Sequence, residues 1–585
     1  MHDNDKERIL RPVGSTSEGL VYATALTPKE RTDPVYLHYE PRHVLPVVFV
    51  PGIMGSNLRG TVRFNGGPVW RLDTTYLPGI GRVEAGLAWQ KRRQKPGDRQ
   101  NDLHPDRTKV DGRGAVPSEL AGSIASKAEY TARGWGEVGE GSYHAWLLAL
   151  EKLLNDHRSG GSKLGVAQHC QAVKTQRSPS AGSAQGAGAD DASLLTLKGF
   201  VDATAAEIAH LQDWHMPVYA CGYNWLQDNS DSAQRLADRI RQIIKANHDG
   251  KHSFCKQVVL VTHSMGGLVA RACAMLPGME PLIAGVVHGV MPAHGAAVAY
   301  RRCKVGMQDE DAIAAIVIGK TGQHVTPVFA QSPGALELLP TQHYGPGWLE
   351  VQGLDGKAVA PAVPQRDPYE EIYQRRDRWW ALVKEEWLAP KEGMPITWGK
   401  YLKFLSLAET FHRALTPTSY HPHTYAFYGA DNVGKTASFE RVVWRLKPPP
   451  GSDVMGLRQS APSAQAVYQM TPQQAGLQGE NPEHIAGKVH LPRAQTGVPD
   501  QEVDVPYYDL VASKQDGRGD GTVPASSGRA PAECAAVKQV FRLTGIEHEG
   551  AYRHATAQQV AVYSLVKIAQ QALWPEPATA GASRA

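Results

Sequence analysis

Three short stretches, far apart in the chain, carry residues able to do nucleophilic chemistry together. "VTHSMGG" (261–267) holds Ser264, "RGDGTVPASS" (518–527) holds Asp520 between two glycines, and "TGIEHEGAY" (544–552) holds His548. A serine hydroxyl is a weak nucleophile at neutral pH. It needs an imidazole to take its proton and a carboxylate to orient that imidazole. Acyl transfer also builds negative charge on a carbonyl oxygen. "PGIMGSNL" (51–58) is a glycine-rich loop whose backbone N–H groups can face a ligand, so the amides of Ile53 and Met265 are the candidate donors to that oxygen. Each motif alone has a plainer account: a serine capping a helix, an Asp-Gly turn, a tight loop. Other residues compete for the same roles. His554 is the reserve base and Asp431 in "YGADN" the reserve acid, while His263 precedes the serine and is expected to point away from its hydroxyl as a packed neighbour.

The surrounding pattern is what favours the chemical reading. "KQVVLV" before the serine motif is a short apolar run that reads as a buried strand, and "GGLVARACAML" after it reads as a helix. A serine on such a sharp strand-to-helix turn projects its hydroxyl from the sheet edge, with helix N–H groups aimed at the same space. Gly266 and Gly267 relieve the crowding; Thr262 stands where the full G-x-S-x-G pattern has glycine. Further strands are expected within "HVLPVVFVPG" (43–52), "MPVYACGYNW" (216–225), "LIAGVVHGVMP" (282–292), "HTYAFYG" (423–429) and "QVFRLTGIEHEG" (539–550). Helices are expected over 141–156, 231–248 and 554–573. Strands alternating with helices predict an α/β fold with a mostly parallel central sheet covered on both faces, and Ser264, Asp520 and His548 follow in the chain order of an α/β-hydrolase.

The 585 residues divide into an extension (1–45), a first part of the core (46–293), a helical cap or lid insertion (294–420), a core continuation (421–444), a polar insertion (445–502), a last core part with the acid and base (503–574) and a flexible tail (575–585). Residues 59–115 read as a long irregular excursion with isolated aromatics such as Trp70, and "KTQRSPSAGSAQGAGADDAS" (174–193) as a mobile loop. "YEEIYQRRDRWWALVKEEWL" (369–388) reads as a helix. Its Trp379, Trp380 and Trp387, beside Arg375, Arg376 and Lys384, suit either an interfacial lid or a helix packed on the core. "SPGALELLP" (332–340) is expected in the cap or along an acyl groove. A net charge of +4 over this length argues against nucleic acid and does not oppose an anionic membrane. The six cysteines show no metal-ligand spacing and no C-x-x-C, so reduced thiols are expected, with no metal and no cofactor. The N-terminal "MHDNDKERILRPVG" lacks an apolar signal core, and no segment approaches a membrane-spanning run.

In order, "FVPGIMGSNL", "YACGYNWLQD", "VTHSMGGLVARA", "YAFYG", "GDGTVPASS" and "GIEHEGAY" resemble the lipases of the α/β-hydrolase superfamily related to lecithin–cholesterol acyltransferase, lysosomal phospholipase A2 and PGAP1-like hydrolases. That resemblance implies Ser264 as nucleophile, Asp520 as acid and His548 as base, with Ile53 and Met265 as oxyanion donors, acting on lipid carboxylic esters. "GYNW" resembles the family's Tyr-Asp-Trp-Arg segment, with Asn224 in the Asp position and Leu226 in the Arg position. A looser resemblance is to antibacterial phospholipase effectors of type VI secretion. It implies a protein cytoplasmic in the producing cell and exported without a signal peptide to a target membrane, with an immunity protein or a secretion component as partner. A soluble carboxylesterase, an acyltransferase and a non-catalytic protein of the same fold are the competing readings.

Overall fold

The computed structural model describes residues 42–574 apart from 62–65, 72–73, 78–80, 85–93, 118–124, 156–160, 179–193, 308–309, 311–318, 360, 433–435, 448–462, 476–482, 492–500 and 513–514. Before residue 42 it describes only short strands, so most of the 1–45 extension, residues 179–193 of the expected mobile loop, and the 575–585 tail lie outside the described residues.

Eight strands form the central sheet. In chain order they are β1 (Val47–Val50), β2 (Arg177–Ser178), β3 (Leu194–Thr196), β4 (Val218–Ala220), β5 (Val258–His263), β6 (Ile283–Gly289), β7 (Thr424–Gly429) and β8 (Gln539–Leu543). Across the sheet they run β2-β3-β8-β7-β6-β5-β1-β4. Every pairing is parallel except β3 with β8. β5 and β6 are buried along their whole lengths, as near-continuous Val-rich runs require in a sheet covered on both faces.

The period of two along each strand splits the core. Val47 and Phe49 of β1, with Val259 and Val261 of β5, pack with α1 (Ala145–Asn155), α2 (Gly161–Gln176) and α8 (Ala555–Ala569). Val48, Val50, Val258 and Leu260 face the opposite side, against α3 (Asn229–Ala246) and α4 (Gly266–Met275). The first residues of the expected mobile loop, 174–176, complete α2. All six cysteines are buried and none is in a disulfide.

The insertion after β6 builds its own core. Helices α5 (Ala297–Val305), α6 (Gly322–Phe329) and α7 (Trp398–Ala414) belong to it. A four-stranded sheet ordered Leu349–Gln352, Val442–Lys447, Gln501–Ala512, Glu483–Leu491 completes it, with the last three strands supplied by the chain after β7. The 445–502 stretch thus contributes strands that its polar composition conceals. Within 59–115, strands Leu58–Gly60, Pro68–Trp70 and Thr108–Val110 make a small sheet rather than a wholly irregular excursion.

The single helix expected over 369–388 does not form. A π-helical turn covers Tyr369–Tyr373 and a 3-10 turn covers Glu385–Leu388. Between them Trp379, Trp380, Ala381, Leu382 and Val383 are all buried, and five consecutive inward residues cannot share one helix face. The indole N–H groups of Trp379 and Trp380 donate to the carbonyls of Val467 and Tyr468, at 2.7 and 2.8 Å. Trp387 is buried too. These tryptophans are interior to the insertion and present no apolar face to solvent. Among the described residues, no helix is long and apolar enough to cross a membrane.

Candidate active site

β5 ends at His263 and α4 begins at Gly266, so Ser264 occupies the turn between them. Its φ is +52°, a left-handed conformation that costs an L-residue roughly 1–2 kcal/mol. The amide of Ser264 donates to Gly289 O at 2.9 Å, which fixes the turn against the end of β6. Thr262 fits where the pattern has glycine because its hydroxyl lies 3.0 Å from His288 Nδ1 while its carbonyl accepts from the Tyr552 hydroxyl at 2.8 Å.

The structure brings the three distant motifs together. His548 Nε2 is 2.8 Å from Ser264 Oγ, and His548 Nδ1 is 2.8 Å from Asp520 Oδ2. The other carboxylate oxygen of Asp520 accepts the amides of Thr522 and Val523 at 3.0 and 2.7 Å, and the amide of His548 donates to Asp520 O at 2.8 Å. Asp520 and Ser264 are buried. The carboxylate is therefore held from both sides, and its second oxygen aims at the imidazole.

The competitors have other work. Asp431 accepts the amide of Gly545 through both carboxylate oxygens, at 2.9 and 2.8 Å, and exchanges backbone hydrogen bonds with Gly519. It thus clamps the two loops that carry Asp520 and His548 to the end of β7. His554 is the N-cap residue of α8.

His263 has a larger part than that of a packed neighbour. Its Nε2 is 2.7 Å from His548 O, a carbonyl, so Nε2 carries the proton and Nδ1 accepts from the Tyr143 hydroxyl at 3.1 Å. Burial, with His548 beside it, pushes its pKa down to about 3, so the ring is neutral at neutral pH. The Tyr143 hydroxyl in turn accepts from Gly52 N at 3.3 Å. One chain of hydrogen bonds thus ties the loop after β8 that carries His548, the serine turn and the 51–55 loop into one unit. Tyr143 was not legible as a site residue, because "GSYHAW" reads only as a helix start.

Ile53 lines a cavity shared with Ser264 and His548, and Met265 is buried as the N-cap of α4. The 52–55 turn is closed by Gly55 N to Gly52 O at 3.0 Å, with Met54 at φ +62° and its carbonyl taking the Trp70 indole N–H at 2.6 Å. The cavity, about 150 Å³, is walled mainly by apolar side chains, among them Trp70, Trp225, Val325, Phe329 and Leu338. Segment 332–340 contributes Ser332, Ala335 and Leu338 to that wall.

The departures in "GYNW" are structural. Asn224 Nδ2 donates to Pro105 O and Thr108 O, at 3.2 and 3.1 Å, and Leu226 is fully buried. Restoring the family's acid with Asn224→Asp removes both donors and sets a buried anion against two carbonyls. The variant is expected to lose about 2–4 kcal/mol of stability, measured by urea unfolding.

A mostly parallel sheet covered on both faces, with Ser264, Asp520 and His548 brought together at one end of its strands, is the α/β-hydrolase fold. Residues 220–309 match the family model of the PGAP1-like alpha/beta domain. A chain in the crystal structure of the Tle4–Tli4 complex aligns with 30% identity, covering 92% of this chain and 100% of that chain at a TM-score of 0.66. The chain belongs to the Tle4 family. Phospholipase PlaB from Legionella pneumophila also aligns, with 12% identity, 41% of this chain, 67% of that chain and a TM-score of 0.14, which carries no argument. No curated protein matches the chain.

Proposed function

We propose that the chain is a serine-dependent lipase or phospholipase A that hydrolyses lipid carboxylic esters through an acyl-enzyme. The observation that carries this reading is the 2.8 Å contact of His548 Nε2 with Ser264 Oγ beside an apolar cavity. His548 takes the hydroxyl proton as Ser264 attacks the ester carbonyl, and Asp520 holds the imidazole and balances its charge. The amides of Ile53 and Met265 receive the oxyanion. His548 then protonates the leaving alcohol, activates water and releases the fatty acid. No step calls for a metal or an organic cofactor. Kinship to lecithin–cholesterol acyltransferase and lysosomal phospholipase A2 rests on the quoted motifs.

The relative is found in a complex with Tli4. By analogy this chain works as an antibacterial effector, held by an immunity protein where it is made and exported to act at a target membrane.

Two measurements test the enzymatic reading. A fluorophosphonate probe is expected to label the folded protein at Ser264, mapped by peptide mass, and phospholipid vesicles are expected to release free fatty acid. Labelling elsewhere, or none, sinks the assignment. Faster turnover of short soluble esters than of vesicle lipid favours a carboxylesterase, and transfer to added alcohols an acyltransferase.

A further inference from the structure

The wall of the cavity beside Ser264 is apolar but for a few groups, and Arg302 is the one permanently charged side chain among the described residues that line it. A guanidinium loses solvation in such a wall, so its presence asks for a partner. Arg302 is on α5. Its Nε donates to Glu310 Oε2 at 2.9 Å and its Nη2 to Thr522 Oγ1 at 3.2 Å. These contacts engage two of five N–H donors. Glu310 is also shared: its Oε1 accepts from Arg301 Nη1 at 2.6 Å, so one carboxylate serves two guanidinium groups. Arg301 is buried at 3% exposure, whereas Arg302, on the cavity wall, keeps 23% and has three N–H donors without a hydrogen bond among the described residues.

Its position selects the part of the substrate it meets. Thr522, which Arg302 touches, donates its amide to Asp520 Oδ1, and Asp520 orients His548. Arg302 therefore stands on the acid–base side of the cavity, where His548 returns a proton to the departing alcohol. An acyl chain has no use for a cation there. An alcohol carrying a phosphodiester does, because guanidinium matches phosphate oxygens with paired, charge-assisted hydrogen bonds.

We propose that Arg302 is a specificity-determining residue that receives the phosphodiester of the leaving alcohol, so that the site prefers glycerophospholipids to neutral glycerides with the same acyl chains. The inference rests on the lipid-ester reading of Ser264. It does not involve Arg302 in bond making or breaking. The rival account is a purely structural ion pair that holds α5 to the 520–523 turn.

The test compares dioleoyl phosphatidylglycerol with dioleoylglycerol, each in neutral detergent micelles at matched surface fraction, for the wild type, Arg302→Gln and Arg302→Lys. The wild type is expected to prefer the phospholipid. Arg302→Gln is expected to lower the ratio of the two kcat/KM values by about tenfold or more, and Arg302→Lys, which keeps the charge without the fork, by less. Arg302→Lys also preserves the test if the glutamine variant fails to fold. An unchanged ratio in a folded variant, whether both rates fall together or neither moves, overturns the proposal in favour of the ion pair. A wild type that prefers dioleoylglycerol overturns it alone, leaving the lipid-ester reading intact. A wild type that cleaves neither lipid, yet is labelled at Ser264 by a fluorophosphonate, removes the lipid-ester reading and this inference with it.

Discussion

Ser264→Ala is expected to lower kcat for ester hydrolysis by about 10⁴–10⁶-fold, His548→Ala by a similar factor, and the double variant by little more than either. The reason is geometric. His548 Nε2 is 2.8 Å from a single hydroxyl, and that hydroxyl has no other base within reach, since His263 Nε2 is committed to His548 O and its Nδ1 to Tyr143. Removing either partner therefore removes the same step. Residual turnover comes from binding and from the amides of Ile53 and Met265, which both substitutions leave in place. Initial rates on a defined phospholipid, with folding checked by circular dichroism, give the numbers. Losses that multiply in the double variant would show that serine and histidine act separately, contrary to the proposed mechanism.

The second large effect falls on the scaffold. Gly266→Ala is expected to destabilise the fold by about 3 kcal/mol or more, because a Cβ at 266 falls against the carbonyl oxygens of Val50 and Pro51. Those atoms are backbone at the end of β1 and the start of the 51–55 loop, so they cannot rotate aside as a side-chain tip would. The loop must move or α4 must lift from the sheet. Either motion separates Ile53 from Ser264, and activity is expected to fall further than the unfolded fraction accounts for. Urea denaturation and specific activity, measured on the same preparation, separate the two losses. A Gly266→Ala protein of wild-type stability would mean that the elbow is looser than these contacts indicate.

Most of the central sheet was legible because its longer strands are short runs of valine or aromatic residues; β1, β5, β6, β7 and β8 all lie where that pattern puts them. Ser264, Asp520 and His548 stood out because glycines follow the first and flank the second, and a strand precedes the third. Other features had no local signal. β2 and β3 are two and three residues long and take their strand geometry from pairing with distant neighbours. Asp431 resembled a catalytic acid because it too follows a strand, and only its contacts with Gly519 and Gly545 reveal a clamp. The 369–388 segment has helix-forming residues at its ends, but "WWALV" buries every side chain, which tertiary contacts with 467–468 permit and a helix would not. The relay through Tyr143 joins residues 91 and 120 positions apart, separations at which pattern carries no information.

The place of β8 within the sheet bears on how the molecule is made. It lies between β3 and β7, both of which precede it in the chain, so a growing polypeptide that has already made them holds an open seam until β8 arrives. While that gap persists, Ser264 has left the ribosome tunnel with no imidazole to meet it. The proposed ester cleavage then waits on β8, since closure of the seam and arrival of the His548 imidazole beside Ser264 are a single event.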